Sequence, residues 1–188
     1  MHALFHGTSV IPVVTIERMA DAVPLARALP RVVVGAGTVQ RPADVAQAAT
    51  AGARFLVSPG MTAELASAAL ASDLPYLPGV ATPSEIMAAR DLGLCFLKLF
   101  PAEALGGVAL LRALATVFPG VAFCPTGGIE ERSARDYLAL PNVPIVGGSW
   151  MAPRDAVAAG DWAVIRRLAE RAGAIGRHPA SPGVAAMR

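Results

Sequence analysis

Short apolar runs alternate with longer alanine- and leucine-rich stretches along this chain. The alternation predicts strands that are each followed by a helix, which is typical of a parallel sheet with helical crossovers. The predicted strands are Ile11–Ile16, Val32–Val34, Phe55–Val57, Pro75–Leu77, the apolar run that Pro101 ends, Val121–Pro125 and Val143–Val146. At this stage the pattern fits either a doubly wound sheet or a closed barrel.

The helical stretches are bounded by Pro, Gly and capping residues. Thr82 and Glu85 form a capping box with Pro83 at the first helical position, so Glu85 is expected to have a structural role. The predicted helices are Met19–Leu29, one from Pro42, Thr62–Ala71, one after Thr82, one from Gly106 to Val117, Glu130–Leu138 and Arg154–Ala172. We predict one domain over residues 1–175 and a disordered Pro-, Gly- and Ala-rich tail over residues 176–188.

Composition narrows the class of protein. The chain has 188 residues, of which 54% are hydrophobic, but no uninterrupted apolar run is long enough to span a membrane. The first residues show no charged region followed by an apolar core, so no secretory signal is predicted. Cys95 and Cys124 lie in apolar runs outside any metal-spaced cluster. We therefore expect a cytoplasmic protein with buried, reduced cysteines and no membrane partner.

The charge distribution argues against a nucleic-acid-binding protein, and the placement of the histidines argues against a histidine-based metal or nucleophile site. The net charge is +2 and the arginines are scattered, which argues against a nucleic-acid-binding surface. His2, His6 and His178 all lie near the ends of the sequence. No histidine remains for a central metal site or a Ser-His arrangement, so a mechanism without a cofactor is expected.

Lys98 is the only lysine among sixteen basic residues, and it lies in the most apolar short run of the chain. A desolvated lysine can lose its proton and become a nucleophile, whereas arginine stays protonated. Lys98 is therefore a candidate Schiff-base nucleophile. The alternative is a lysine whose stem packs in the core while its ammonium group reaches water.

Strand periodicity gives Lys98 a position in the sheet. Alternate side chains share a face, so Lys98 lies with Phe96 and Phe100, while Leu97 and Leu99 occupy the other face. A strand that is apolar on both faces is typical of a helix-covered parallel sheet. Lys98 lies near the carboxyl end of its strand, which is the end where active sites of α/β folds collect.

Two Gly-Gly pairs follow the last two predicted strands, as Thr126-Gly127-Gly128 and Gly147-Gly148-Ser149. Barrels of the (β/α)8 type commonly bind phosphate through backbone N–H groups at these loops. The alternative is two tight turns that need glycine only for its backbone freedom. By contrast, Gly35-Ala36-Gly37 has Gln40 where a dinucleotide-binding fingerprint needs its third glycine.

Six motifs in order resemble the 2-keto-3-deoxy-6-phosphogluconate (KDPG) and 4-hydroxy-2-oxoglutarate (KHG) aldolases, over about residues 11–172. They are Gly35-Ala36-Gly37-Thr38, Val57-Ser58-Pro59-Gly60, Leu77-Pro78-Gly79-Val80, Lys98-Leu99-Phe100-Pro101-Ala102-Glu103, Phe123-Cys124-Pro125-Thr126-Gly127-Gly128-Ile129 and Val146-Gly147-Gly148-Ser149-Trp150. The resemblance implies a class I aldolase on a (β/α)8 TIM barrel, usually a homotrimer. Such an enzyme cleaves the phosphorylated keto-deoxy sugar acid to pyruvate and glyceraldehyde 3-phosphate, a step of the Entner–Doudoroff pathway. The resemblance also implies, as a second reaction, cleavage of 4-hydroxy-2-oxoglutarate to pyruvate and glyoxylate.

The same resemblance assigns roles residue by residue. Lys98 is implied to form the imine with the C2 carbonyl of pyruvate. Thr38 and Pro78 are implied to line the pyruvyl pocket, and Phe100 to pack over it. The residues implied to hold the phosphate are Thr126, Gly127, Gly128, Gly148 and Ser149.

The chain departs from this family in one large respect. Family members carry a second strand and a second helix before the Gly-Ala-Gly-Thr strand, whereas here Leu29-Pro30-Arg31-Val32 joins the first helix directly to it. Seven strands are predicted instead of eight, and about 25 residues are absent at barrel averages. The absent strand carries the family's general acid/base Glu and a substrate-binding Arg, and neither has a counterpart here.

Two carboxylates remain as alternative bases. Glu17, just after the first strand, is the nearest by topology, although a solvated loop residue is the simpler interpretation. Glu103 fits the first turn of a helix as well as a catalytic position. Two functions therefore stay open at this stage, a working aldolase and a phosphate-binding paralogue or deletion variant that has lost proton transfer.

Overall fold

The computed structural model describes residue 5 and residues 7–29 and 33–176. In that part of the chain strands alternate with helices. The strands are β1 Val10–Pro12, β2 Leu56–Val57, β3 Tyr76–Leu77, β4 Gly79–Val80, β5 Phe96–Leu99, β6 Ala122–Pro125 and β7 Val146–Gly148. The helices are α1 Met19–Ala28, α2 Pro42–Thr50, α3 Ala63–Leu70, α4 Pro83–Asp91, α5 Gly107–Val117, α6 Glu131–Leu138, α7 Arg154–Ala159 and α8 Trp162–Gly173.

The strands pair in parallel around an arc. The pairs are β1 with β7, β2 with β3, β4 with β5, and β5 with β6. Only Pro78 separates β3 from β4 along the chain, and isolated parallel bridges join Thr126 to Gly147 and Ala36 to Leu56. The spatial order is therefore β1, β7, β6, β5, β3–β4, β2 and the segment around Ala36.

Both faces of this sheet are covered, as predicted. Leu97 and Leu99 are fully buried and belong to the main cluster, together with Ile86 of α4 and Leu111 of α5. Phe96 instead packs with a separate cluster on the opposite face. That cluster contains Phe5, Phe55, Leu77, Cys124 and Ile145. The alternation of side chains along β5 thus separates helix-facing residues from residues that fill the inside of the sheet.

The arc has two ends in the described part of the chain, at β1 and at the Ala36 segment. β1 pairs with β7 and the Ala36 segment pairs with β2, and no pairing between the described residues joins β1 to Ala36. Val13, Ile16, Val33 and Val34 at these ends are between 41% and 54% exposed, although each is apolar. The two ends are the places where the βα unit that the sequence predicts to be absent would fit.

Several predicted strand boundaries are wrong. β1 spans Val10–Pro12 rather than residues 11–16, because its partner β7 ends at Gly148 and the last bond runs from Val13 N to Gly148 O. Val33 and Val34 form no strand, and Val32 lies outside the described residues. The last strand lies at Val146–Gly148 rather than residues 143–146. Pro144, which has no backbone N–H, interrupts the predicted run.

The predicted helix Arg154–Ala172 is two helices. α7 ends at Ala159 and is followed by Gly160, whose φ of 68° is left-handed. The Asp161 side chain then accepts a hydrogen bond from Val164 N, which begins α8. The predicted tail at residues 176–188 lies, apart from Gly176, outside the described residues. Among the described residues no helix is both long and apolar enough to cross a membrane.

Candidate active site

Lys98 lies in the middle of the sheet, between β4 and β6. Its Cα is in register with Gly79 on one side and Cys124 on the other, and its backbone N donates to Pro78 O at 2.8 Å. The side chain is only 9% exposed. β5 continues for one further residue, so the amine lies at the carboxyl end of the strand, as the sequence predicts.

The surroundings of the Lys98 amine favour its neutral form. Burial lowers the pKa of Lys98 from its ordinary value of 10.5, and the charge interaction with Cys124 opposes this shift without reversing it. Burial also raises the pKa of Cys124 to about 12, so at neutral pH its thiol carries no charge that would stabilise the ammonium. The Nζ atom lies 4.3 Å from the centroid of the Phe100 ring, whose face attracts a cation and so opposes the shift. Within the described residues this amine forms no hydrogen bond or ion pair.

These pKa directions predict the pH profile of imine formation. The rate of pyruvate trapping by cyanoborohydride is expected to rise with pH and to level off through an apparent pKa below 10.5. The same shift affects stability. Burial makes the protonated amine less stable in the folded than in the unfolded chain, so Lys98 lowers the free energy of unfolding most at pH values below its pKa in the folded protein. This penalty is lost as pH rises toward 10.5. A trapping rate that follows a free lysine across the whole range would contradict a desolvated amine.

Three predicted pocket residues lie at increasing distance from β5. Phe100 follows the strand directly and contacts the amine. Pro78 is buried between β3 and β4, next to β5. Thr38 lies on the Ala36 segment, beyond β2, and is exposed with a left-handed φ of 58°. A threonine in this conformation is uncommon and is often found at functional sites.

The loop after β6 packs against the turn after β5. Thr126 N donates to Leu99 O, and Ala102 N donates to Thr126 O. Gly127 and Gly128 have φ values of 100° and 80°, which only glycine adopts readily. A Cβ on Gly127 would lie 3.2 Å from the Phe100 ring. Phe100 therefore contacts both the amine of Lys98 and the first Gly-Gly pair.

The two Gly-Gly pairs are neighbours in space. Thr126 bridges to Gly147, and a Cβ on Gly147 would lie 2.5 Å from Thr126 Oγ1. The Trp150 ring covers Gly148 so closely that a Cβ there would lie 1.7 Å from ring carbon Cζ3. Ser149 is exposed. The structure thus brings Thr126, the glycines and Ser149 to the same edge of the sheet, beside β5.

A cavity of about 350 Å³ lies beside Ser149 and borders the β1 end of the arc. Its lining includes Thr15, Glu17, Arg18 and Arg154. Glu17 accepts a hydrogen bond from Arg154 Nε at 2.8 Å and is half exposed. Its carboxylate is therefore a partner of Arg154 at the surface, which agrees with the simpler interpretation of Glu17 as a loop residue.

Glu103 begins a one-turn 3₁₀ helix, Glu103–Leu105, and its carboxylate accepts a hydrogen bond from Tyr137 Oη at 2.8 Å. Burial, and then this carboxylate, raise the pKa of Tyr137 above its ordinary value, so the hydroxyl keeps its proton. Glu103 thus has a structural partner. Sequence reasoning missed Tyr137, because nothing in its local pattern indicates a contact with a residue 34 positions earlier.

Cys124 is buried as predicted, but Cys95 is only partly buried, and both are free thiols. The proximity of Cys124 to Lys98 follows from strand register, which the sequence does not specify. Within the described ranges, no three His, Cys, Asp or Glu side chains are grouped closely enough to hold a metal ion.

A family comparison, a relative of known name and a solved structure all match this chain to KDPG or KHG aldolases. The family described as KDPG and KHG aldolase matches residues 27–168. A 2-dehydro-3-deoxy-phosphogluconate aldolase of Pseudomonas aeruginosa is 44% identical over 191 residues, covering 87% of each chain. A KDPG aldolase of Legionella pneumophila, solved with pyruvate captured as a covalent carbinolamine, superposes with a TM-score of 0.85 at 40% identity. That match covers 89% of this chain and 95% of the Legionella one.

A KDPG aldolase of Zymomonas mobilis solved with 3-phosphoglycerate has a TM-score of 0.87 at 40% identity. This match covers 94% of this chain and 96% of the other. A parallel α/β fold with one buried lysine at the carboxyl end of a strand is the arrangement expected of a class I aldolase. The chain belongs to the KDPG and KHG aldolase family. The predicted family and TIM-barrel-type α/β fold are confirmed.

The alignment lengths also bear on the absent unit. The Pseudomonas match spans 191 positions, whereas 87% of this 188-residue chain is about 164 residues. About 27 positions of the relative therefore have no counterpart here, close to the size of one βα unit at barrel averages.

Proposed function

We propose that this chain is a class I aldolase that cleaves 2-keto-3-deoxy-6-phosphogluconate to pyruvate and glyceraldehyde 3-phosphate through an imine at Lys98. The observation that carries the proposal is a single, buried lysine with a lowered pKa at the carboxyl end of β5. Pyruvate release from the substrate, followed with lactate dehydrogenase and NADH, tests it. Release of pyruvate supports the proposal, and its absence in folded protein contradicts it.

The reaction needs a neutral amine and a dry pocket. Nζ of Lys98 attacks the C2 carbonyl carbon of the sugar acid, and loss of water leaves a protonated imine. As the C3–C4 bond breaks, the imine takes up its electron pair and the C4 hydroxyl gives its proton to water, so glyceraldehyde 3-phosphate leaves and an enamine remains. Protonation at C3 and hydrolysis then release pyruvate and regenerate the amine.

The remaining site residues divide into two groups. Thr38, Pro78 and Phe100 line the pyruvyl end, where the Phe100 ring limits access of water to the amine. Backbone N–H groups of the two glycine loops hold the phosphate, since successive N–H groups form an anion-binding concavity. The residues proposed to bind the substrate phosphate are Thr126, Gly127, Gly128, Gly148 and Ser149.

Two solved relatives support these roles. The Legionella enzyme holds pyruvate as a covalent carbinolamine, and the Zymomonas enzyme was solved with 3-phosphoglycerate. In the proposal, Lys98 would hold the pyruvyl group and the glycine loops the phosphate of such species. The relatives are named as aldolases, which favours a working enzyme over the phosphate-binding paralogue. A homotrimer and a cytoplasmic location stay predictions.

Ser149 offers a direct test of the phosphate site. We expect Ser149→Asp to raise the KM for the phosphorylated substrate at least about tenfold, because a carboxylate would face the phosphate. Gly128 suits this test less well, since a Cβ there would lie 2.7 Å from Glu103 Cβ and its φ is 80°.

Ser149→Asn is the matched control, being similar in size to aspartate but uncharged. It is expected to change the KM less than Ser149→Asp does. The KM for unphosphorylated 4-hydroxy-2-oxoglutarate is expected to stay unchanged in both variants. Equal effects of Asp and Asn on the phosphorylated substrate would argue against a phosphate at this loop.

A further inference from the structure

The turn after β5 and the loop after β6 are joined along their length. Thr126 N donates to Leu99 O at 3.0 Å, Ala102 N to Thr126 O at 2.8 Å, and Glu103 N to Gly127 O at 3.1 Å. The last of these bonds fixes the carbonyl between the two glycines of the proposed phosphate loop. The position of Glu103 therefore determines the direction of the adjoining N–H of Gly128.

The side chain of Glu103 adds a second contact to the same loop. A Cβ built on Gly128 would lie 2.7 Å from both Cβ and Cγ of Glu103, so the glutamate stem lies directly over the Gly128 backbone. Gly128 is exposed on its other side. The stem of Glu103 thus supports the loop from the side of β5.

Tyr137 fixes the far end of Glu103. Its hydroxyl donates to Glu103 Oε1 at 2.8 Å, and the Tyr137 side chain is only 1% exposed within α6. The same hydroxyl lies 2.5 Å from the position of a Cβ on Gly107, at the start of α5. A charge-assisted bond to a buried phenol holds a carboxylate more firmly than solvent does. Glu103 is therefore held at both ends.

We infer that Glu103 is a positioning residue that holds Gly127 and Gly128 in their phosphate-binding conformation, with Tyr137 as the anchor of its carboxylate. This inference rests on the proposed function, because it assumes that the loop binds the substrate phosphate. It distinguishes Glu103 from a proton-transfer residue. Loss of the Glu103 side chain weakens recognition of the phosphate end of the substrate and leaves the chemistry at Lys98 intact.

The test compares Glu103→Ala, Tyr137→Phe and Glu103→Gln on two substrates. Ala removes the stem beyond Cβ together with the acceptor, and Phe removes only the hydroxyl. Gln keeps the stem and an amide oxygen that accepts from Tyr137. We expect Glu103→Ala to raise the KM for the phosphorylated sugar acid about tenfold and Tyr137→Phe about threefold. Glu103→Gln is expected to stay within about twofold of the unmodified protein.

The second substrate separates positioning from general damage. With 4-hydroxy-2-oxoglutarate, which has no phosphate, all three variants are expected to keep kcat and KM within about twofold. A parallel loss on both substrates would overturn the inference, as would unchanged kinetics in Glu103→Ala. If Glu103→Ala does not fold, Tyr137→Phe decides, because it removes a single oxygen.

Ser149→Asp distinguishes failure of this inference from failure of the phosphate site. If Ser149→Asp raises the KM for the phosphorylated substrate while the Glu103 and Tyr137 variants do not, only the positioning role is wrong. If Ser149→Asp also leaves that KM unchanged, the phosphate assignment fails and this inference fails with it.

Discussion

Lys98→Arg is expected to lower the rate of pyruvate release by at least about 10⁴-fold. The guanidinium stays protonated and cannot attack a carbonyl, although it keeps the positive charge and much of the length of lysine. No other lysine in the chain can substitute, since Lys98 is the only one. The measurement is pyruvate release together with pyruvate trapping by borohydride.

Lys98→Met is the matched control for folding. It removes an amine whose charged form is penalised by burial, so it is expected to raise the free energy of unfolding at neutral pH while abolishing activity. Loss of activity in a more stable protein separates chemistry from folding. Pyruvate release or trapping in Lys98→Arg at the level of the unmodified chain would rule out Lys98 as the nucleophile.

Insertion of a second βα unit between Leu29 and Val33 is expected to raise both rate and stability. The unit is taken from the Pseudomonas aeruginosa relative, which has about 27 positions without a counterpart here. The family resemblance implies that this unit carries the general acid/base Glu, and a positioned acid/base contributes about 10²- to 10⁴-fold to a rate. The measurements are kcat/KM and the free energy of unfolding in urea.

The stability gain has a structural cause. Val13, Ile16, Val33 and Val34 are 41–54% exposed at the two ends of the arc, and a strand between them would cover these side chains. Covering four half-exposed aliphatic side chains stabilises by up to about 4 kcal/mol, before the entropy of ordering the insert is subtracted. The inserted strand would also pair the open edges of the arc, which otherwise promote association between chains.

The matched control is the same insert with its Glu replaced by Gln. Both inserts are expected to raise the free energy of unfolding equally, whereas only the Glu version raises kcat/KM. If the unmodified chain already equals the Pseudomonas enzyme in kcat/KM, another residue is the base. Glu17→Gln is then the next variant, because it removes the carboxylate while it keeps an amide oxygen that accepts from Arg154.

The position of Lys98 could be predicted because it depends on local features. The apolar run around this single lysine predicts a strand. The alternation of side chains gives the face of the sheet on which Lys98 lies, and Pro101, which ends the strand, places Lys98 near its carboxyl end. The parallel order and the two-sided burial of β5 follow from the same pattern. The Gly-Gly loops could likewise be placed after the last two strands, and their proximity follows from the bridge between Thr126 and Gly147.

Other features depend on contacts between distant segments, which local patterns do not encode. The end of β1 is set by where β7 ends. The contact of Tyr137 with Glu103 joins two helices that begin after different strands. Each of these features requires the register of neighbouring strands, which is a property of the assembled sheet.

Digestion with a lysine-specific protease after borohydride reduction tests the central claim most directly, because the chain has one lysine. The untreated chain is cut once, after Lys98. After incubation with pyruvate and reduction, we predict an intact chain that is heavier by about 72 Da, since the modified lysine is no longer a cleavage site. Cleavage after an unmodified Lys98, with the added mass on another fragment or absent, would contradict the Schiff-base assignment.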